Sequence, residues 1–174
     1  MTESNRAATD LGAVFDAHVK AEFVDRDVAA AMATMAPEPY LTHVPTLTGG
    51  TGRAQVERFY RDHFVGHWPD DVQVKTLSRT VGQNRVIDEL VVSFTHDREM
   101  RVFLPGVAPT GRKVVLPHVV VMGFDEAGRV AYEHSIGIRR RSWCRSGSST
   151  RPCFRWQVPN KPSGCWIRRN LPTK

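Results

Sequence analysis

The sequence predicts an α+β fold, in which one curved antiparallel sheet packs on helices that precede it. Apolar residues recur at helical spacing in residues 10–67, and from residue 72 onward they alternate or run continuously, as in strands. Helices followed by strands favour this layered arrangement over a doubly wound parallel sheet. A change of composition near residue 134 indicates a domain at residues 10–136, between a disordered N-terminus at residues 1–9 and a basic tail at residues 137–174.

The first helix is predicted to begin after Asp10, because an aspartate side chain is a good N-cap. Its apolar stripe comprises Leu11, Val14, Phe15, His18, Val19 and Phe23. Its solvent side comprises Asp16, Lys20 and Glu22. A second helix is expected at residues 28–35, where Pro37 and Pro39 then stop it.

A short extended segment at residues 40–44 and a glycine-rich turn lead to a third helix, which opens at Thr51 or Gly52. Its buried stripe comprises Ala54, Val56, Phe59, Tyr60, Phe64 and Val65. The strands that follow are predicted at residues 72–81, 85–96, 113–125 and 129–136. Short turns at residues 82–84 and 126–128 favour an antiparallel meander. Residues 105–111 form a rigid apolar connection, which we expect either to cap a cavity or to serve as a plain turn.

Composition excludes several classes of protein. The net charge of +6 comes from the tail, since residues 135–174 contain ten Lys and Arg and no Asp or Glu. The sequence contains no apolar run of about 18 residues that could span a bilayer, so we expect a cytoplasmic protein. Three cysteines at irregular spacing indicate neither a zinc site nor a disulfide framework. We therefore predict no metal and no cofactor.

Five segments resemble a known family. They are residues 40–45 (YLTHVP), 52–60 (GRAQVERFY), 87–97 (IDELVVSFTHD), 104–111 (LPGVAPTG) and 128–134 (GRVAYEH). Together with the order of elements, they are similar to small bacterial SnoaL-like proteins of the nuclear transport factor 2-like superfamily. The resemblance implies a cone-shaped α+β domain with a cavity, and it leaves the reaction open, because this fold serves cyclases, isomerases, epoxide hydrolases and noncatalytic binders.

The tail departs from the family pattern directly after His134. Relatives look as if they continue through an aromatic pair and an acid, whereas this chain has Ile136, Gly137, Ile138 and Arg139. Codons for residues 135–145 can be chosen so that a one-nucleotide shift of frame reads Ile-Tyr-Trp-Asp-Gln. We therefore interpret residues 135–174 as a frame-shifted end that was not selected to fold. This end would truncate the last strand near Ile136 and leave an exposed edge.

The tail has an alternative interpretation as a nucleic-acid-binding segment. Its arginines alternate with Trp143, Phe154, Trp156 and Trp166, which could stack on bases while the charges neutralise phosphates. Charge alone would give salt-sensitive, nonspecific binding. We therefore regard nucleic acid as an unlikely partner of this chain.

Four ionisable residues are predicted to be catalytic. On the strand at residues 85–96, either Asp88 or Glu89 must point into the cavity, where desolvation would raise a carboxyl pKa towards the range useful for acid/base work. An ion pair is the structural alternative for these two residues. His118 and His134 lie on apolar faces of neighbouring strands and could face one apolar volume.

Further histidines have weaker signals. His43 borders the mouth of the cone by resemblance. His63 and His67 have the spacing of a helical metal pair, but they lie at a helix end without a third ligand, so solvent-facing or capping roles are expected. The side chains predicted to bind a ligand are His43, Tyr60, Phe94, Leu104, Met122 and Tyr132.

Three functions follow from these expectations. The first is a cofactor-free enzyme that performs acid/base chemistry on a small apolar molecule, of the isomerase, cyclase or hydrolase type. The second is a noncatalytic ligand-binding module, expected if the inward polar residues satisfy one another. The third is an interaction protein that forms a homodimer through the exposed face of the sheet.

Overall fold

The computed structural model describes residues 9–137, which form three helices and a six-stranded sheet. The helices are α1 (Leu11–Lys20), α2 (Val28–Ala33) and α3 (Arg53–Phe59). The strands are β1 (Met35–His43), β2 (Thr48–Thr51), β3 (Gln73–Val81), β4 (Arg85–Thr95), β5 (Lys113–Phe124) and β6 (Val130–Gly137). The predictions for residues 1–8 and 138–174, including most of the frame-shifted or nucleic-acid-binding tail, lie outside the described residues.

The helices begin where local hydrogen bonds satisfy their first N–H groups. The Asp10 carboxylate accepts from the Ala13 N–H at 3.1 Å, which confirms the predicted N-cap of α1. Asp27 caps α2 in the same way, through the N–H groups of Ala29 and Ala30. Both α1 and α3 continue into a single π-helical turn, at Ala21–Asp25 and Tyr60–Phe64 respectively.

The predicted boundary between α2 and β1 was wrong. The helix ends at Ala33, and β1 begins at Met35, well before the predicted extended segment. Pro37 and Pro39 therefore lie inside the strand, between Met35 and Tyr40, where the pairing with β6 shifts register. A proline is tolerated in this irregular stretch because its missing N–H removes no regular ladder hydrogen bond.

The sheet has the order β2-β1-β6-β5-β4-β3, and its four long predicted strands are confirmed within one or two residues. Neighbouring strands are antiparallel except β1 and β6, which are parallel. The sheet is thus mixed, and the expectation of a wholly antiparallel sheet was wrong for this pair. β1 and β6 are far apart in sequence, so no hairpin turn fixes their relative direction.

The inner face of the sheet forms the core together with the helices. Val86, Leu90 and Phe94 of β4 are buried against apolar side chains such as Phe15 and Val56 of the helices. This alternation places Asp88 on the inner face and Glu89 on the outer face. None of the helices within residues 9–137 combines the length and apolar character needed to cross a membrane, and the cytoplasmic location stays a prediction.

Asp88 is buried in an ion pair with Arg79 of the neighbouring strand. The guanidinium donates to both carboxylate oxygens, at 2.7 and 2.8 Å, and a further bond from the same group reaches Asp16 of α1 at 2.7 Å. Arg79 also lies 4.8 Å from the Phe15 ring centre. This interaction ties the edge strand β3 to α1 and uses the whole Asp88 carboxylate.

We expect Arg79→Ala to lower the free energy of unfolding by about 3–5 kcal/mol, because it leaves the buried Asp88 carboxylate without a partner. Chemical denaturation followed by circular dichroism measures the loss. Lys20→Ala is the matched control, since it breaks the exposed pair with Asp25 and should cost about 0–1 kcal/mol. A loss for Arg79→Ala no larger than that of the control would contradict the structural role given to this pair.

Candidate active site

The two predicted carboxylates lie on opposite faces of the sheet. Asp88 is engaged by Arg79, and Glu89 is exposed on the outer face, where it accepts a hydrogen bond from the Ser78 hydroxyl at 2.8 Å. The ion-pair alternative therefore describes the geometry of Asp88. The acid/base role of both residues remains a prediction without a cavity to support it.

The predicted pairing of His118 with His134 was wrong. His118 is buried on the inner face, whereas His134 lies on the outer face beside the stacked rings of Tyr40 and Tyr132. The register shift between β5 and β6 at Gly123 and Phe124 reverses the alternation that was read from Val130. Inner positions of β6 consequently carry Glu133 and Ser135.

A cluster of four buried side chains lies at the centre of the domain, and we call it the His18 cluster. It consists of His18, Glu22, Tyr60 and Glu133. His18 Nε2 lies 2.9 Å from the Tyr60 hydroxyl, 3.3 Å from a Glu22 oxygen and 3.6 Å from a Glu133 oxygen. Tyr60 donates its hydroxyl proton to Glu133 at 2.8 Å. Two carboxylates therefore share one imidazole in a buried volume.

The hydrogen bonds around His18 fix its protons. The Thr34 hydroxyl donates to the Ala31 carbonyl at 2.7 Å, so it accepts from the Nδ1–H of His18 at 2.6 Å. Because the Tyr60 hydroxyl gives its proton to Glu133, its oxygen accepts from the Nε2–H of His18, and the two carboxylates near Nε2 favour the same protonation. Both ring nitrogens thus carry protons, and His18 is an imidazolium.

The electrostatics of the cluster agree with this assignment. Burial opposes the charged imidazole, but the charges and hydrogen bonds of Glu22 and Glu133 outweigh it and raise the pKa of His18 to about 10. Burial and the nearby charge of Glu133 raise the pKa of Glu22 to about 7, although His18 partly offsets them. Burial, followed by the two carboxylates, also raises the pKa of Tyr60. Glu22 is therefore able to gain or lose a proton near neutral pH.

Both π-helical turns contribute to this cluster. Glu22 lies in the turn that extends α1, four residues after His18, and Tyr60 opens the turn that extends α3. Each π-turn changes the direction of the side chains after the regular helix, and such turns are frequent at functional sites. This explains why Glu22, predicted to face solvent, is only 2% exposed.

A second polar group joins β1, β5 and β6. The Ser135 hydroxyl lies 2.9 Å from His43 Nδ1 and 2.8 Å from His118 Nε2, and the two imidazole rings stack with centres 6.0 Å apart. Burial is the main cause that lowers the pKa of each histidine to about 4. Both rings are therefore neutral at pH 7, in contrast to His18.

Between the two groups lies a small cavity, which we call the inner cavity. Its polar lining comprises Glu22, His118, Glu133 and Ser135, and its apolar lining includes Val120 and Phe103. Its volume is about 20 Å³, which is enough for about one water molecule. The Glu22 oxygen that lies 3.3 Å from His18 Nε2 accepts no hydrogen bond within residues 9–137, so its only partner there is this ion-pair contact.

The predicted ligand-binding side chains are distributed more widely. Tyr60 belongs to the His18 cluster, and His43 contacts Ser135. Phe94, Leu104 and Met122 are buried in the core, and they do not line the inner cavity. Tyr132 lies on the outer face. The structure thus brings His43, Tyr60 and His118 near one centre, together with His18, Glu22 and Glu133, which were not predicted as site residues.

Three buried side chains of the His18 cluster have the types of ligand atom that bind metal ions. Ligand atoms of His18, Glu22 and Glu133 lie within 4.8 Å of one another, the one such grouping in residues 9–137. The hydrogen bonds favour a proton there instead, because the imidazolium supplies the positive charge and Tyr60 bridges Nε2 and Glu133. His63 and His67 form no such group, and His67 caps the helix end by donating to the Arg61 carbonyl at 3.0 Å.

No protein-family model matches the chain, and no curated protein matches it. Several solved structures are similar to it. A SnoaL-like polyketide cyclase from Shewanella putrefaciens has a TM-score of 0.61 at 11% identity, covering 75% of this chain and 81% of that one. AclR from Streptomyces galilaeus, assigned as a hydroxylase, has a TM-score of 0.56 at 20% identity. The match covers 74% of this chain and 78% of AclR.

A third structure, a protein of ketosteroid isomerase-like fold from Catenulispora acidiphila in complex with trimethylamine, has a TM-score of 0.52 at 15% identity. The match covers 70% of this chain and 82% of the Catenulispora chain. At these identities the likeness establishes the fold. The predicted α+β architecture is confirmed, and the chain shares the fold of these SnoaL-like and ketosteroid isomerase-like structures.

Proposed function

We propose that this protein binds a small apolar molecule next to the His18 cluster and transfers a proton to or from it without a cofactor. The observation that carries the proposal is the buried Glu22 carboxyl at the wall of the inner cavity, whose Oε1 has an ion-pair contact with His18 Nε2 at 3.3 Å but no hydrogen bond within residues 9–137. A buried carboxyl with a pKa of about 7 is well matched to general acid or base work at neutral pH. The names of the neighbouring structures, a cyclase and an isomerase-like protein, agree with such chemistry.

Each member of the cluster has a distinct role in this proposal. Glu22 exchanges the proton with the bound molecule. His18 remains charged and stabilises the carboxylate form of its neighbours. Tyr60 and Glu133 hold each other through their hydrogen bond, and the Glu133 charge keeps the pKa of Glu22 high. His118 and Ser135 face the same cavity and offer neutral hydrogen-bonding groups to a polar atom of the ligand.

A noncatalytic binding module is the competing function. We would expect it if every inward polar group were satisfied by another. Glu22 meets this condition only in part, because its Oε1 has an ion-pair contact with His18 at 3.3 Å but no hydrogen bond within the described residues, whereas Asp88 meets it fully. The inner cavity therefore favours proton transfer over binding alone.

The exchange of carbon-bound protons in a simple ketone tests the proposal. We expect the full chain to accelerate deuterium incorporation from D₂O into 2-cyclohexen-1-one, followed by proton NMR. Glu22→Gln should reduce this rate by about 10²-fold or more, as for loss of a general base. Glu57→Gln is the matched control, since it alters an exposed helical carboxylate on α3. Equal rates for the two variants would contradict the role of Glu22.

The pH dependence of stability tests the charge on His18. Its pKa is raised from 6.5 to about 10, so the folded state holds a proton that the unfolded state releases above pH 6.5. The free energy of unfolding should therefore fall between pH 7.5 and 9.5, with a slope of at most about 1.4 kcal/mol per pH unit. Above pH 7.5, Glu22, His43 and His118 have largely lost their protons, so they add little to this slope. Glu133 and Tyr60 are the other titratable groups that face the His18 ring.

Denaturation at several pH values, with the cysteines kept reduced, measures this slope. His18→Gln should flatten it, whereas His63→Gln, which changes an exposed histidine, should retain the wild-type slope. A wild-type slope that is already flat over this range would show that His18 is neutral in the folded protein.

We also propose that two copies associate through the outer face of the sheet. Val115, Tyr40 and Ile136 are exposed there at 55%, 38% and 41%, and Val119 lies beside Ile136 in the strand ladder. Exposed apolar residues grouped on one face of a sheet are typical of an interaction surface.

Light scattering after size exclusion should find a dimer of the full chain. Val115→Lys should convert it to a monomer, because a lysine would be buried without a partner at the interface. Leu47→Lys, at an exposed turn outside the sheet face, should leave the dimer intact. A monomeric wild-type chain, or a dimer that tolerates Val115→Lys, would refute this arrangement.

A further inference from the structure

A surface cleft lies behind one wall of the inner cavity, and we call it the outer cleft. Its volume is about 290 Å³. Its polar lining, which we call the cleft rim, comprises Asp62, His63, His67, Glu99 and Arg101. Phe64, Trp68 and Phe103 line both the outer cleft and the inner cavity. These three rings therefore form a wall one side chain thick between the two spaces, and we call them the aromatic wall.

The inner cavity alone is too small for an organic ligand, because it admits about one water molecule. Ligand pockets typically measure about 300–1,000 Å³. The outer cleft alone is just below this range, and the combined volume would fall within it if the inner cavity and the space of one wall side chain were added. A ligand that reaches Glu22 must therefore displace part of a wall.

Phe103 is the side chain of the wall that can move most readily. Phe64 lies in the π-helical turn after α3, and Trp68 packs against Phe23, Phe64 and Phe94. Phe103 instead belongs to residues 96–112, which contain no helix or strand. The backbone hydrogen bonds formed by residues 99–107 join residues of that same segment, from the Leu104 N–H to Met100 and from the Val107 N–H to Leu104.

The position of Phe103 relates it directly to the candidate site. Its ring centre lies 4.4 Å from that of Trp68, 4.6 Å from His43 and 6.1 Å from His118. Withdrawal of this ring would therefore open the polar end of the inner cavity towards the outer cleft. The predicted cap, residues 105–111, is mostly exposed and does not line either space, so the barrier is formed by the residues just before it.

The aromatic wall also carries an unused hydrogen-bond donor. The Trp68 Nε1–H is buried and has no partner within residues 9–137. A buried donor of this kind is costly unless a ligand or water satisfies it. In the outer cleft, Asp62 pairs with Arg61, and Glu99 pairs with Arg101 at 3.2 Å. A guanidinium carries five N–H donors, so Arg101 can bind a ligand acceptor in addition to Glu99.

From these observations we propose that the inner cavity and the outer cleft are two parts of one ligand site, which Phe103 divides in the ligand-free protein. The ligand is an elongated molecule whose apolar part passes between the rings of the aromatic wall. Its polar head carries hydrogen-bond acceptors and lies at the cleft rim near Arg101. The chemical identity of the reacting end depends on the proposed proton transfer, but the composite binding site does not.

The test uses 1-anilinonaphthalene-8-sulfonate, an apolar fluorescent probe with an anionic head, and the full chain. A probe that spans both spaces should bind about tenfold more weakly after Arg101→Ala, which removes a donor at the cleft rim. Val120→Leu, which fills the inner cavity, should weaken binding by the same factor. A tenfold change in Kd corresponds to about 1.4 kcal/mol. Phe103→Trp, which thickens the wall, should weaken it at least as much. Phe103→Ala should speed association.

Leu47→Ala controls for adhesion to exposed apolar residues and should leave the affinity unchanged. Thermal melts establish that each variant is folded. Binding that responds to Arg101→Ala but not to Val120→Leu or Phe103→Trp would confine the probe to the outer cleft and overturn the proposal. Absence of saturable binding to the wild-type chain would overturn it as well. Ketone exchange by Glu22 is a separate readout, so the proton-transfer proposal can fail while the composite site stands.

Discussion

The burial of two carboxylates beside one imidazole is the constraint on which the rest of this structure depends. Glu22 and Glu133 could not both be buried without a compensating charge, because an unpaired carboxylate in an apolar interior is strongly destabilising. His18 supplies that charge, and Thr34 fixes the direction in which its protons point. The position of α1 against β6 is therefore set by electrostatics as well as by apolar packing.

The surrounding elements follow from this central group. The π-helical turns bring Glu22 and Tyr60 to the same side of the cavity, and the register shift in β6 turns Glu133 inward. Aromatic side chains close the remaining side and limit the entry of water. A low dielectric then strengthens each interaction inside, which is what keeps the proton affinities of Glu22 and His18 so far from their ordinary values.

The strands and the first helix were predictable because their signals are local. The alternation in β4 and the cap at Asp10 depend on a few neighbouring residues. The site was less predictable, because Glu22 and Glu133 depend on one extra residue in a turn and one shift of register. The spacing of His18 and Glu22, four residues apart on one helix, was the available signal for the cluster. It was missed because the apolar periodicity of α1 predicted that Glu22 faces solvent. The parallel pairing of β1 and β6 has no local signature.

This parallel pair has a consequence for how the protein is made. Residues 35–43 have their neighbour at residues 130–137, so most of the domain must leave the ribosome before that ladder can close. Contacts of such large sequence separation carry a high entropic cost and slow folding. Until then, His18 lacks its partner Glu133. The frame shift that we predict at residue 135 would fall within β6, which lies between β1 and β5, so the exposed edge expected there from the sequence is not formed.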